Sequence, residues 1–100
     1  MLNVRLNQTP TLTPQFNGTT TGPVTWKIHG TVVPYDTTGS VLNFALAVAS
    51  DGATAQIQPI AIGGPWTVSA DAPTEEGVAT IIEGVQIVMP PATGGTFLVS

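Results

Sequence analysis

Residues Ser50 to Asp71 read "SDGATAQIQPIAIGGPWTVSAD". An Asp-Gly opens the stretch and a Gly-Gly-Pro interrupts it. On either side apolar residues alternate with small polar ones: Ala55 and Ile57 against Thr54, Gln56 and Gln58, then Trp66, Val68 and Ala70 against Thr67 and Ser69. A period of two sends successive side chains to opposite faces of a strand, so each run has one face for a core and one for solvent or a partner. The stretch contains no Lys, Arg, Glu, His or Cys. It builds β-structure and carries almost no reactive chemistry.

The same period runs outward from it. Leu2, Val4 and Leu6 alternate with Asn3, Arg5 and Asn7; Val24, Trp26 and Ile28 with Thr25, Lys27 and His29; Leu42, Phe44, Leu46 and Val48 with Asn43, Ala45 and Ala47. Between Gly77 and Met89, Val78, Thr80 and Ile82 share one phase and Val85, Ile87 and Met89 the other. Glu83-Gly84 lies at the change, which predicts a β-bulge or kink there. "TFLVS" reads as a short last strand. Asp51-Gly52 predicts a tight hairpin turn with positive φ at both central residues. Thr38-Gly39, Gly63-Gly64-Pro65, Pro90-Pro91 and Gly94-Gly95 mark further turns. No window has a helical period. Several short strands with frequent turn signals give an all-β fold in a single domain, an antiparallel sandwich or barrel. Its expected core is Trp26, Phe44, Leu46, Ile57, Val68 and Ile87.

Residues 1–22 form an N-terminal strand followed by a Thr/Pro-rich stretch, and residues 23–100 form the sandwich, as one structural unit overall. From Gln8 to Gly22 only Leu12 and Phe16 are large apolar anchors. The segment reads either as an extended arm reaching a neighbour or as a long connection packed on its own domain.

Composition narrows the function. The 100 residues suit one domain. Charged residues make up 8%, against roughly 25% in ordinary domains. Thr, Gly, Asn, Gln, Ser and Pro take their place, and such a surface is cheap to desolvate, because burying a hydroxyl or amide costs far less than burying an ion. The net charge is −4, and Arg5 and Lys27 are the only fixed cations. Phosphate backbones and anionic lipids both need Lys and Arg, so neither nucleic acid nor a membrane is an expected partner. With no cysteine there is no disulfide and no thiolate site. The longest apolar run, Phe44 to Ala49, is far too short to span a bilayer. "MLNVRLNQTP" lacks the apolar core of a secretory signal, so the chain is expected to be used as made in the cytoplasm.

"PVTWKIHG" from Pro23 and "ASDGATAQIQPIAIGGPWTVSADAPTEEGVATIIEGVQIVM" from Ala49 together resemble a bacterial immunoglobulin-like (Big-type) domain. The resemblance rests on a Val-Thr-Trp strand, a Ser-Asp-Gly turn into a Thr/Ala/Gln strand, a Gly turn into a Thr-Val-Ser-Ala-Asp strand, and a closing strand with Val-x-Ile-Val. It is weak between Tyr35 and Asn43 and departs from the family at "GGPW". It implies an all-β, antiparallel immunoglobulin-like β-sandwich in a single domain, with seven to nine strands as such sandwiches have, in which the Trp26 ring fills the space between two sheets, here without the disulfide. Trp66, just after Gly63-Gly64-Pro65, is expected to be half exposed and to serve as an interface aromatic. Short chains of this kind without a signal peptide resemble those encoded among tailed-bacteriophage structural genes. The implied function is a non-enzymatic virion structural protein: a capsid decoration or cement protein, or an Ig-like tail module, that docks on the capsid or tail protein lattice as a homo-oligomer. The alternative is a cell-surface adhesion or carbohydrate-binding module.

No catalytic constellation is visible. His29, the only histidine, falls on the outward phase with Lys27, and no nucleophile-elbow motif is present. Asp71, Glu75 and Glu76 fall in "DAPTEEG", read as a loop between strands, and are a weak calcium candidate; their spacing matches no EF-hand. No cofactor is expected. The interface candidates are Leu12, Phe16, Trp66, Phe97, Leu98 and Val99.

Overall fold

A computed structural model describes residues 1–90 and 97–99. It contains nine strands: β1 (Leu2–Arg5), β2 (Thr11–Leu12), β3 (Thr25–Ile28), β4 (Thr31–Val33), β5 (Thr38–Ser40), β6 (Phe44–Val48), β7 (Ala55–Pro59), β8 (Gly63–Thr74) and β9 (Gly77–Val88). They form a five-stranded sheet in the order β1-β9-β8-β3-β4 and a four-stranded sheet in the order β2-β7-β6-β5. The chain is an all-β sandwich, and no described residue is helical. Every pairing is antiparallel but one: β1 lies parallel to β9, with Val4 opposite Ile87.

The core is where the alternation places it. Trp26, Phe44, Leu46, Ile57, Val68 and Ile87 are all buried, joined by Val4, Ile28, Val33, Val48, Ala55, Ala70 and Val85. Each apolar side chain of this size contributes about 1.5–3 kcal/mol on full burial. Trp26 crosses from one sheet to the other. Its Nε1 donates a 2.8 Å hydrogen bond to the carbonyl of Gly52, in the β6–β7 connection. Gly52 is itself buried with φ +70°, and a Cβ there would lie inside the Tyr35 ring. Tyr35 in turn donates its hydroxyl hydrogen to the Val24 carbonyl.

Several local expectations are corrected. Asp51-Gly52 is not a two-residue turn: the connection runs from Ala49 to Thr54, closed by Ala49 N–H to Thr54 O, and only Gly52 has positive φ. Asp51 accepts instead from the Ala53 N–H, capping its own loop. The two-residue turn with both φ positive is His29-Gly30, at 48° and 81°, between Ile28 and its partner Thr31. His29 is thus a turn residue and not an outward strand residue beside Lys27. Gly39 is inside β5, where a Cβ would stand 2.6 Å from Val33 Cγ2, so its smallness lets the two sheets close together.

The bulge is on the neighbouring strand from the one expected. β9 pairs without interruption through Glu83 and Gly84, whereas β8 shifts register between Gly63 and Trp66. With no phase change in β9, Ile81, Val85 and Ile87 face inward, and Val78 and Ile82 are left exposed on the outer face. Leu42 is likewise not a core residue: β6 begins at Phe44, and Leu42 is 76% exposed. "TFLVS" forms no strand over its described residues: Phe97, Leu98 and Val99 are unpaired and nearly bare.

The segment from Gln8 to Gly22 packs on its own domain. Thr11 and Leu12 pair with Gln56 and Ala55, Ile57 N–H bonds the Pro10 carbonyl, and Thr20 bridges Thr74. Leu12 and Phe16 lie half-buried against the core. The long-connection reading is therefore the structural one, and the extended arm is not seen.

Trp26→Ala is expected to cost about 3–5 kcal/mol. Trp26→Phe, which keeps most of the ring but leaves the Gly52 carbonyl buried and unpaired, is expected to cost about 1–3 kcal/mol. Both are read from urea unfolding. A loss below about 0.5 kcal/mol for Trp26→Ala would place the ring outside the load on the core.

Candidate docking surface

One buried polar side chain organises one end of the sandwich. Asn43, 7% exposed, sits just before β6. Its Nδ2 donates to the Ala61 carbonyl at 3.2 Å and the Ile62 carbonyl at 2.9 Å. Its Oδ1 accepts from Trp66 Nε1 at 2.7 Å. Its backbone carbonyl accepts from the N–H groups of Ile60 and Ala61. The indole N–H is only a donor, so it fixes which end of the amide faces Trp66 and leaves the amide hydrogens for the loop carbonyls. Asn43 thereby ties three neighbouring pieces together: the start of β6, the β7–β8 connection and the start of β8.

The clasp holds apolar side chains outward. Leu42 precedes it, Ile62 supplies one of the carbonyls it bonds, and Ile60 precedes the other; all three are exposed. Trp66 is half-buried beside them. The His29 ring meets the Trp66 ring edge-on, with centroids 4.9 Å apart. No carboxylate enters this arrangement. Chemically it offers apolar area, one aromatic edge and one imidazole, which suits docking by burial of surface.

The other sequence candidates fall elsewhere. Leu12 and Phe16 lie along the connecting segment, away from the Asn43 end. Phe97, Leu98 and Val99 belong to the C-terminal segment and are 97%, 98% and 86% exposed. The carboxylates proposed for calcium are spread apart, because "DAPTEEG" is no loop. Asp71 is within β8, opposite Thr80, with its carboxylate 3.4 Å from Lys27 Nζ. Glu75 and Glu76 are exposed in the β8–β9 turn, beyond the Thr74–Gly77 pair. Among the described residues no group of three His, Cys, Asp or Glu side chains could hold a metal ion.

Leu42, Ile60 and Ile62 were not singled out by the sequence pattern. The available signal was Pro59-Ile60-Ala61-Ile62-Gly63, an apolar run bounded by Pro and Gly, too short and too tightly flanked to be a strand of its own. Compared with known proteins, the chain matches no family model, no curated protein and no solved structure.

Asn43→Ala strands the Ala61 and Ile62 carbonyls and the Trp66 N–H. It is expected to cost about 1–3 kcal/mol and to shift Trp66 emission to the red, read in a Trp26→Phe background. Leu42→Asp, at an exposed position, is expected to stay within about 0.5 kcal/mol of the parent. Equal losses for the two would show that Asn43 holds nothing.

Proposed function

We propose that this chain is a non-enzymatic virion structural protein of bacterial immunoglobulin-like type, a decoration or cement subunit that docks on the capsid or tail lattice of a tailed-bacteriophage particle. The observation that carries the reading is the Asn43-centred end, where Leu42, Ile60 and Ile62 are exposed on backbone held by a buried amide. Isolated exposed apolar residues need no explanation, but several gathered around one buried amide mark a contact surface. The clamped backbone also lowers the ordering entropy that docking would otherwise cost.

Two further features agree. The chain carries two Lys or Arg and six Asp or Glu in 100 residues, so covering most of its surface desolvates few ions. Its histidine packs against Trp66 in place of a carboxylate partner, the geometry of a structural contact and not of a proton-transfer pair.

The test is mass spectrometry of purified particles, followed by rebinding of the isolated protein to particles that lack it. The protein is expected on the particle, with binding that changes little as salt is raised, because few ion pairs are available. The double variant Leu42→Asp/Ile62→Asp is expected to lose rebinding while its β circular dichroism is unchanged. Wild-type occupancy by the double variant would remove this end as the contact. Absence of the intact protein from particles would favour the adhesion-module reading.

A further inference from the structure

On the opposite flank the two sheets do not close. β8 and β9 are 12 residues each, whereas β1 has four and β2 has two. β1 covers the edge of β9 only from Val85 to Val88. From Gly77 to Gly84, no strand among the described residues pairs with β9 on the side away from β8. Behind this bare edge lies a groove of about 560 Å³, between the inner face of the five-stranded sheet and the segment Thr11–Gln15. Leu2, Leu12, Trp26, Val68, Ala70 and Ile81 supply its apolar lining, and Glu83 stands in it, 2.9 Å from the Met1 ammonium.

Free edges are usually guarded by brevity, by Lys or Pro, or by a bulge. β4 and β5, the edges at the far sides of the two sheets, are three residues each and so guarded by brevity. β9 between Gly77 and Gly84 is long, unbulged, and without Lys or Pro. Its single charge, Glu83, is already paired. The same chain carries Phe97-Leu98-Val99, an apolar run in no strand and almost completely bare.

We propose that Phe97–Val99 of one copy adds as a strand to the Gly77–Gly84 edge of β9 in a second copy. Strand addition supplies the missing ladder hydrogen bonds, and pockets for alternate side chains supply selectivity. With period two, Phe97 and Val99 turn into the groove and Leu98 turns out toward Ile82 and Val78 on the outer face. The occupant comes from a second copy because β1 sits on β9 between the chain's own exit at Val88 and the free edge. Each copy then has one donor and one acceptor. Reciprocal exchange gives a dimer, and head-to-tail exchange gives a ring where the rotation between copies closes and an open filament where it does not.

The experiment is read on isolated protein in solution, so it does not depend on the lattice reading. Full-length protein is sized by sedimentation across a concentration series, beside a chain ending at Thr96. The truncated chain is a fair control, since Phe97, Leu98 and Val99 are nearly bare. Full-length protein is expected to associate and the truncated chain to run as a monomer. Hydrogen exchange is expected to show Gly77–Gly84 amides protected only in the full-length protein. A peptide of residues 94–100 is expected to restore that protection to the truncated chain, and the Phe97→Asp peptide is expected to fail. A full-length monomer, with or without edge protection, overturns the proposal; protection in a monomer would mean that the tail folds back on its own edge. Association that survives truncation overturns it too, and assigns self-contact to another face.

Discussion

The most deeply buried directional tie between the two sheets is one indole. Trp26 lies in β3, and its hydrogen-bond acceptor, the Gly52 carbonyl, lies in the connection between β6 and β7 of the other sheet. Hydrophobic burial alone is non-directional and would tolerate sliding of one sheet over the other. A buried N–H that must find its acceptor does not tolerate it, because an unmet donor costs about 1–3 kcal/mol. Gly52 meets the demand only because it reaches a positive φ and leaves room for the Tyr35 ring, whose hydroxyl in turn holds the Val24 carbonyl. Val24 is two residues before Trp26, so the contact closes on itself: indole to loop, loop to phenol, phenol back to the chain entering β3.

Around that contact the alternation of apolar and polar residues was a sufficient guide. All six residues of the expected core are buried, because a strand in a two-layer sandwich has to cover an apolar face. The misreadings share a cause: they fall where one local signal had two structural meanings. Gly84 at a change of apolar phase suggested a bulge, but an apolar residue can simply face outward, as Ile82 and Val78 do. Asp51-Gly52 and His29-Gly30 are both plausible turn dipeptides. The first sits in a longer loop because the Gly52 carbonyl is committed to Trp26, and the second makes the two-residue turn. Leu42-Asn43 read as apolar-in and polar-out, and the order is reversed, since Asn43 has three side-chain hydrogen bonds to make and all of them lie inside.

The docking candidates show the same limit more sharply. Trp66 was legible, since an aromatic just after Gly63-Gly64-Pro65 lies near the start of β8 and is only half covered. The residues around it were not: Leu42, Ile60 and Ile62 gather where the Asn43 backbone carbonyl takes the Ile60 and Ala61 N–H groups and its side-chain amide takes the Ala61 and Ile62 carbonyls. A loop folded onto one asparagine in this way leaves no periodic trace. The apolar character of Phe97-Leu98-Val99 was visible, but its partner was not: the open edge of β9 exists only because β1 and β2 are short against the β8–β9 hairpin, and strand ends are what local patterns fix least well.

The two exposed apolar features differ in how much order they bring to a contact. At the Asn43 end the loop carbonyls are already hydrogen-bonded and Trp66 is already oriented, so an encounter there has little backbone entropy left to lose. Phe97–Val99 stands off the domain and must be fixed residue by residue, at about 1–2 kcal/mol each for the backbone alone. Burial of a Phe and a Val side chain, at about 1.5–3 kcal/mol apiece, offsets much of that cost without exceeding it by a wide margin. Strand addition by a single tail is therefore a weak contact, and it becomes durable only when exchange is reciprocal or closed in a ring, so that each copy is held at both its donor and its acceptor. On the proposed reading, a clamped end that binds at once and a tail that holds only in a closed set would divide the work of assembly, the first selecting a surface and the second rewarding completion of the cluster on it.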